Sequence, residues 1–362
     1  MMQSRALALS TKPGASLHYS THPAAPEHGP FSTTLVVFLN GLLLPRSSWT
    51  PAAESLISAR CRQQRPLPHL LTYDRYGQGD SDPDPADGDP PEPHGHDASA
   101  VATDLHRLLL QVCEADLRIA LETTALVFVC NSIGCAVARL YAAKHPRRVA
   151  AYVFLDSMMA NTDFVSLFPD PDADGFDNHT LPAGVDAESL RVARRKYREM
   201  FHPTVPNPEH FDRRNLADLL PDAGSPALPP GPGGKDPYLL IVGHDPEVFA
   251  KQSETVTCHF LYTKDTFPDA SSLSTFVTDP STQGTLQVSS AVTNAYIKPA
   301  WEAYNQDLIH LLSDPRRVEG PVIAPNCGHF IQNDDPEYVA EELNKLLNRM
   351  LDDFGQKQPA AT

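Results

Sequence analysis

The stretch Thr124-Ala125-Leu126-Val127-Phe128-Val129-Cys130-Asn131-Ser132-Ile133-Gly134-Cys135 runs directly into Ala136-Val137-Ala138-Arg139-Leu140-Tyr141. A β-branched, apolar run that ends on a serine and continues at once with helix formers predicts a strand, a tight turn and a helix. A serine at such a turn is forced into strained backbone geometry. Its hydroxyl stands out from the sheet edge, and the helix N-terminus directs positive charge at whatever sits there. Small residues two before and two after the serine, here Cys130 and Gly134, let the chain make the turn. Taken alone, small-x-Ser-x-Gly also describes an ordinary strand–turn–helix junction, so its neighbours along the chain have to decide.

Upstream, Leu35-Val36-Val37-Phe38-Leu39-Asn40-Gly41-Leu42 reads as a buried strand ending in a glycine turn. His69-Leu70-Leu71-Thr72-Tyr73-Asp74 follows as a second strand, then Arg75-Tyr76-Gly77-Gln78-Gly79-Asp80-Ser81. Downstream, Pro321-Val322-Ile323-Ala324-Pro325-Asn326-Cys327-Gly328-His329-Phe330 is a short strand delivering a histidine, followed by Asp334-Asp335-Pro336-Glu337 and a helix. In that order these motifs resemble the α/β-hydrolase superfamily, in its lidded, esterase-like branch, over roughly residues 5–350. The resemblance implies an α/β fold: a mostly parallel central sheet flanked by helices, with a helical lid insertion.

With 29 Lys and Arg against 45 Asp and Glu, the chain carries a net charge of −16 with histidine neutral. Such a surface repels phosphate backbones and anionic lipid, which argues against nucleic-acid and membrane partners and leaves a small-molecule substrate. No apolar run approaches the roughly 18 residues of a membrane helix. The opening Met1-Met2-Gln3-Ser4-Arg5-Ala6 lacks the apolar centre of a signal peptide. The six cysteines are scattered without a C-x-x-C pair, so reduced thiols are expected rather than disulfides or a metal site. A cytoplasmic protein without cofactor or metal is the expectation.

Ala6–Ser10 and Ser16–Ser20 flank Lys12-Pro13-Gly14-Ala15 as an opening hairpin. Strands near 34–40, 69–74, 125–131 and 149–156 alternate with helices near 50–60, 98–113 and 133–144, and continuous apolar strands in that rhythm argue a largely parallel sheet covered on both faces. The proline-rich, acidic stretch 82–97 carries histidines but no helical ligand spacing, and reads as an exposed loop rather than a metal site. The resulting division is 1–156 as the first part of the core, 157–235 as the lid, 236–352 as the second part and 353–362 as a tail. Within the lid an amphipathic helix is expected over 186–201 and a second near 214–220. Residues 252–290, rich in Ser, Thr and Asp, show no sustained period and are expected as an irregular insertion.

A serine hydroxyl needs a base within hydrogen-bond reach, a group orienting that base, and donors for the developing oxyanion. Ser132 is the nucleophile by position, and His329, after a glycine beyond the last strand, is the base. The orienting acid is open among three residues. Asp245 follows a strand in the chain order Ser…Asp…His and is preferred, although Gly243-His244-Asp245 is one residue short of the family's G-x-x-D. Asp156, ending the strand after the elbow helix, and Glu247 are the alternatives.

The resemblance assigns the oxyanion donors to the N–H groups of Leu42 and Ile133, and Asn40 stands where the family has histidine. Asp74 and Arg75 are read as turn anchors. Met158, Met159, Phe164, Phe168 and Phe330 are candidate substrate contacts, with core packing as the competing reading; Met200 and Phe201 are further apolar lid residues. Together these imply a serine hydrolase acting on an ester, lactone, thioester or activated C–C bond. The rivals are an acyltransferase or other non-hydrolytic enzyme of secondary metabolism, and a ligand receptor or scaffold on the same fold. The likeness to fungal-type hydrolases suggests a natural-product or xenobiotic ester.

Overall fold

The continuously apolar runs become strands buried on both faces. A computed structural model describes residues 1–255 and 287–355. In it, β1 (Gln3–Leu9) and β2 (Lys12–His22) form the opening hairpin, followed by β3 (Thr34–Leu39), β4 (His69–Tyr73), β5 (Ala125–Ser132), β6 (Val149–Ser157), β7 (Tyr238–Gly243) and β8 (Val318–Ile323). They form one eight-stranded sheet in the order β1-β2-β4-β3-β5-β6-β7-β8. The β1–β2 and β2–β4 pairs are antiparallel, and every pair from β4–β3 onward is parallel. Every position of β3, β4 and β7 is buried, as expected of strands covered on both faces.

The two-residue strand period divides the core in two. Leu35, Val37 and Leu39 of β3 face one cluster, which also takes apolar side chains from α2 (Ala98–Val112), α3 (Ile133–Lys144) and α4 (Ala187–Met200). Val36 and Phe38 face the other, built with Ala53 and Leu56 of α1 (Thr50–Arg62) and with the apolar stripe of the C-terminal helix Pro336–Gly355. On α4, Leu190, Ala193, Tyr197 and Met200 are buried at helical spacing, and Asp186 caps the helix by accepting from Ser189 N at 2.7 Å. The segment between β6 and β7 carries α4 and the short α5 (Leu216–Leu219), and its Phe164, Phe168 and Phe211 join the first cluster. After β7 come α6 (Pro246–Thr255) and α7 (Lys298–Asp307).

Two expectations change. The stretch 82–97 is not simply an exposed loop: Asp84, Asp87 and His96 are buried. Lys12 of the hairpin reaches over, its Nζ 2.5 Å from both Asp84 Oδ2 and Asp104 Oδ2, and His96 Nδ1 lies 2.8 Å from Asp87 Oδ2. Local composition could not anticipate a cation arriving from the opening hairpin, 72 residues before Asp84 in the chain. The irregular insertion expected over 252–290 lies mostly outside the described residues, and its start is helical, within α6. Among the described residues no helix is long and apolar enough to cross a membrane.

Candidate active site

In a parallel sheet the carboxyl ends of the strands share one edge, and groups placed just beyond them converge there. Leu42, Ser132, Asp156, His244 and His329 all stand at or just after the ends of β3, β5, β6, β7 and β8.

Ser132 has φ 55° and ψ −124°, a conformation that L-residues rarely adopt, and α3 begins with the next residue. Two glycines make the turn possible through close approach. A Cβ on Gly134 would lie 2.5 Å from the Leu39 carbonyl oxygen and 2.9 Å from that of Asn40, so only glycine lets α3 start against the end of β3. A Cβ on Gly41 would lie 2.8 Å from Asn131 Oδ1 and 3.4 Å from Ser132 Cβ, which puts the turn after β3 directly beside the serine. Ile133 N–H opens α3, where first-turn N–H groups have no intrahelical acceptor.

The β5–β6 register shifts just here: Asn131 pairs with Leu155 but Ser132 with Ser157. Asp156 is the extra residue, a bulge with φ 46°, and the irregularity re-aims its side chain. Its carboxylate is fully buried and meets two histidines. His329 Nδ1 lies 2.5 Å from Oδ2, while His244 Nδ1 lies 2.8 Å from Oδ1 and 2.9 Å from Oδ2 and its backbone N–H 3.3 Å from Oδ1. Burial raises the carboxyl pKa, but the charge and hydrogen bonds of His244 and His329 outweigh it and bring it down to about 2. An ionised carboxylate only accepts, so both Nδ1 atoms carry hydrogen and Nε2 is the nitrogen of His329 left for a serine hydroxyl. Trp301 of α7 closes this side, edge-on to both His244 at 5.3 Å and His329 at 5.4 Å between ring centroids. Asn131 ties the parts together: its Nδ2 donates to Leu155 O at 3.1 Å and His329 O at 2.9 Å.

Asp245, the preferred orienting acid, is not brought to His329. Its carboxylate accepts from Glu247 N at 3.0 Å, Val248 N at 3.4 Å and Asn326 N at 3.2 Å, which caps α6 and holds the loop before the histidine. The short turn after Gly243 is the reason. It puts His244 against Asp156 and leaves Asp245 at the helix start. Glu247 lies on the exposed face, 3.9 Å from Lys298 Nζ.

Asn40 is fully engaged, with Nδ2 on Tyr73 O and Gln78 Oε1 at 2.8 Å each and Oδ1 accepting from Trp49 Nε1 at 2.7 Å. Arg75 does more than anchor its own turn, since Nη1 and Nη2 reach the carbonyls of Asn40 at 2.7 Å and Gly41 at 2.9 Å. Among the candidate substrate contacts, Phe330 is 37 % exposed with its ring 5.0 Å from His329, and Phe164 meets Trp301 at 6.2 Å. Phe168 packs edge-on against Tyr197 of α4, Met159 is buried and Met158 half-buried, which gives Phe168 a packing role. The one described group with metal-ligating spacing is Asp84, Asp87 and His96, whose ligand atoms lie within 4.8 Å of one another; Lys12 already supplies positive charge there.

The sequence reading missed His244, Trp301 and Asn131. His244 alone left a signal, as the histidine inside the shortened turn Gly243-His244-Asp245.

The model of the alpha/beta hydrolase family matches residues 36–342. The chain belongs to that family. Membership supports a hydrolytic enzyme. No curated protein matches the sequence significantly. Solved structures resemble it along nearly their whole length. Wild-type Cfl2 from Burkholderia cenocepacia is 18 % identical with a TM-score of 0.46, and 95 % of each chain is covered. A lipase-like protein (lip1) from Acinetobacter baumannii is 15 % identical, TM-score 0.48, covering 97 % of this chain and 93 % of its own. A thermophilic esterase from Thermogutta terrifontis is 15 % identical, TM-score 0.46, covering 96 % of this chain and 98 % of its own.

Proposed function

We propose that this family member is a serine hydrolase that opens an ester, lactone, thioester or activated C–C bond of a small apolar substrate through an acyl-enzyme. The observation that carries the proposal is a serine in strained elbow geometry at the same sheet edge as a buried carboxylate bonded to the Nδ1 of His329.

In this reading Ser132 Oγ attacks the carbonyl carbon while His329 Nε2 takes its proton. Asp156, in place of Asp245, holds the imidazole in the tautomer that can accept and stabilises the imidazolium that forms. The N–H groups of Leu42 and Ile133 bind the oxyanion. His329 returns the proton to the leaving group, and water then repeats the sequence in reverse to release the acid. With its pKa brought down to about 2, Asp156 stays ionised at neutral pH, where the reading needs an acceptor for the Nδ1 hydrogen of His329. Serine rather than aspartate at the elbow supports an acyl-enzyme over the alkyl-enzyme route of aspartate nucleophiles. The segment between β6 and β7 acts as a lid; Phe330, beside the His329 ring, and Phe164, which meets Trp301 beyond it, are the side chains offered to an apolar acyl or alkoxy group.

The test is turnover of a series of p-nitrophenyl esters by wild type and Ser132→Ala. The proposal expects saturable hydrolysis by wild type and background rates from the variant, with unchanged circular dichroism. Equal rates from both proteins would overturn it.

A further inference from the structure

We infer that Arg75, Gln78 and Glu209 are positioning residues that aim and polarise the Leu42 oxyanion donor, so that this donor is assembled only when the segment between β6 and β7 is seated. The inference rests on the acyl-enzyme reading.

The Leu42 N–H and the Gly41 carbonyl belong to one planar peptide, so fixing the oxygen fixes the direction of the N–H on the opposite side. The Gly41 oxygen is gripped by two side-chain donors, Arg75 Nη2 at 2.9 Å and Gln78 Nε2 at 3.0 Å. Arg75 Nη1 holds the preceding carbonyl, that of Asn40, at 2.7 Å. Two donors on the oxygen, one of them charged, also draw electron density toward it and make the N–H of the same peptide a stronger donor.

Both donors are held in turn by Glu209. Its Oε2 accepts from Arg75 Nε at 3.2 Å and Nη2 at 2.9 Å, and its Oε1 from Gln78 Nε2 at 3.0 Å and from Leu43 N–H, the next peptide after the oxyanion donor. Leu43 has φ 63°, an unfavourable conformation for a leucine that the carboxylate helps to hold. All three side chains are buried, with Glu209 only 1 % exposed. Gly77, at φ 73°, lets its turn lie against the Glu209 backbone, where a Cβ would come within 2.9 Å of the carbonyl oxygen. Glu209 belongs to the insertion and the rest of the clamp to the sheet edge. If the insertion lifts, Arg75 loses its only buried counter-charge in this cluster and the Gly41–Leu42 peptide loses its restraint.

The deciding variant is Arg75→Met/Glu209→Met, because replacing both members of a buried ion pair by apolar groups of similar size is commonly neutral for stability. The measurements are kcat and KM on a p-nitrophenyl ester, and the inhibition constant of a trifluoromethyl ketone whose adduct oxygen occupies the oxyanion position. The clamp predicts a fall in kcat of about 10²-fold, the scale of losing one oxyanion donor. KM should stay within about threefold, and the ketone should weaken by the same factor as kcat/KM. A cooperatively melting double variant whose kcat and inhibition constant stay within about threefold of wild type, or whose loss lies in KM alone, overturns the inference. If the double variant does not fold, Gln78→Met, which removes one donor from Gly41 O, decides by the same two readouts. Wild type that a fluorophosphonate fails to label at Ser132 overturns the reading beneath; labelled wild type with unaffected variants overturns the clamp alone.

Discussion

Replacing Asp156 by Asn separates the two acids most sharply. The backbone at 156 has φ 46°, which Asn tolerates as well as Asp, so the substitution adds no backbone strain. Its cost falls on hydrogen bonding. Oδ2 faces the Nδ1 of His329, Oδ1 faces the N–H of His244, and the His244 Nδ1 lies between the two oxygens, so the wild-type carboxylate meets donors on both sides. A carboxamide has one oxygen and one NH2, and cannot accept on both. With NH2 toward His329, the imidazole adopts the tautomer carrying hydrogen on Nε2 and can no longer take the serine proton. The same exchange in the worked serine-protease case costs about 10⁴ in turnover, equivalent to about 5 kcal/mol of barrier at 1.36 kcal/mol per decade. With the oxygen toward His329 instead, the NH2 opposes the two His244 donors, and the loss appears as stability, about 1–3 kcal/mol for a buried unsatisfied group. Initial-rate kinetics and urea unfolding on the same preparations read both. The expected result is a drop of 10³–10⁴ in kcat/KM with KM little changed, while Asp245→Asn, which keeps an N-cap oxygen for α6, stays within about threefold. If Asp156→Asn kept a tenth or more of wild-type activity while Asp245→Asn lost several decades, the assignment of Asp156 would be wrong.

Other expectations follow from the same contacts. His244→Phe keeps a ring between Phe249 and Trp301 but removes the donors' side-chain member on Asp156 Oδ1; it should cost about 1.5–3 kcal/mol of stability by urea unfolding, the scale of a hydrogen bond to a buried charge. The Asp156 pKa is depressed from 3.8 to about 2, so its contribution, about 2 kcal/mol, is fully present above roughly pH 4 and lost as pH falls through 2. The stability gap between wild type and Asp156→Asn should therefore narrow by that amount between pH 5 and pH 2; a gap independent of pH refutes the coupling. Gly134→Ala should destabilise by about 1–3 kcal/mol and lower kcat, because its methyl meets the backbone of β3 and pushes the start of α3 away from it.

The fold was legible because its signals are local. Fully buried parallel strands read as unbroken apolar runs such as 35–39 and 126–130, and the helix after Ser132 follows without a break. The placement of Ser132 and His329 was legible for the same reason, each marked by a glycine beside a strand end. The carboxylate that meets His329 was not, because that contact depends on a bulge in β6, which shows only in the strand register. Chain order favours Asp245; pairing geometry gives the contact to Asp156. Glu209 lies still further from reach, since a glutamate in a polar stretch of the insertion looks solvated until the turn carrying Arg75 and Gln78 is folded against it.

The most direct test of the account is where a covalent serine probe lands. Wild-type protein treated with a fluorophosphonate, digested and mapped by mass spectrometry should carry one adduct, on the peptide containing Ser132. Labelling should be strongly slowed in His329→Ala and Asp156→Asn and absent in Ser132→Ala. An adduct on another residue, or equal labelling of the folded Ser132→Ala variant, would contradict the account.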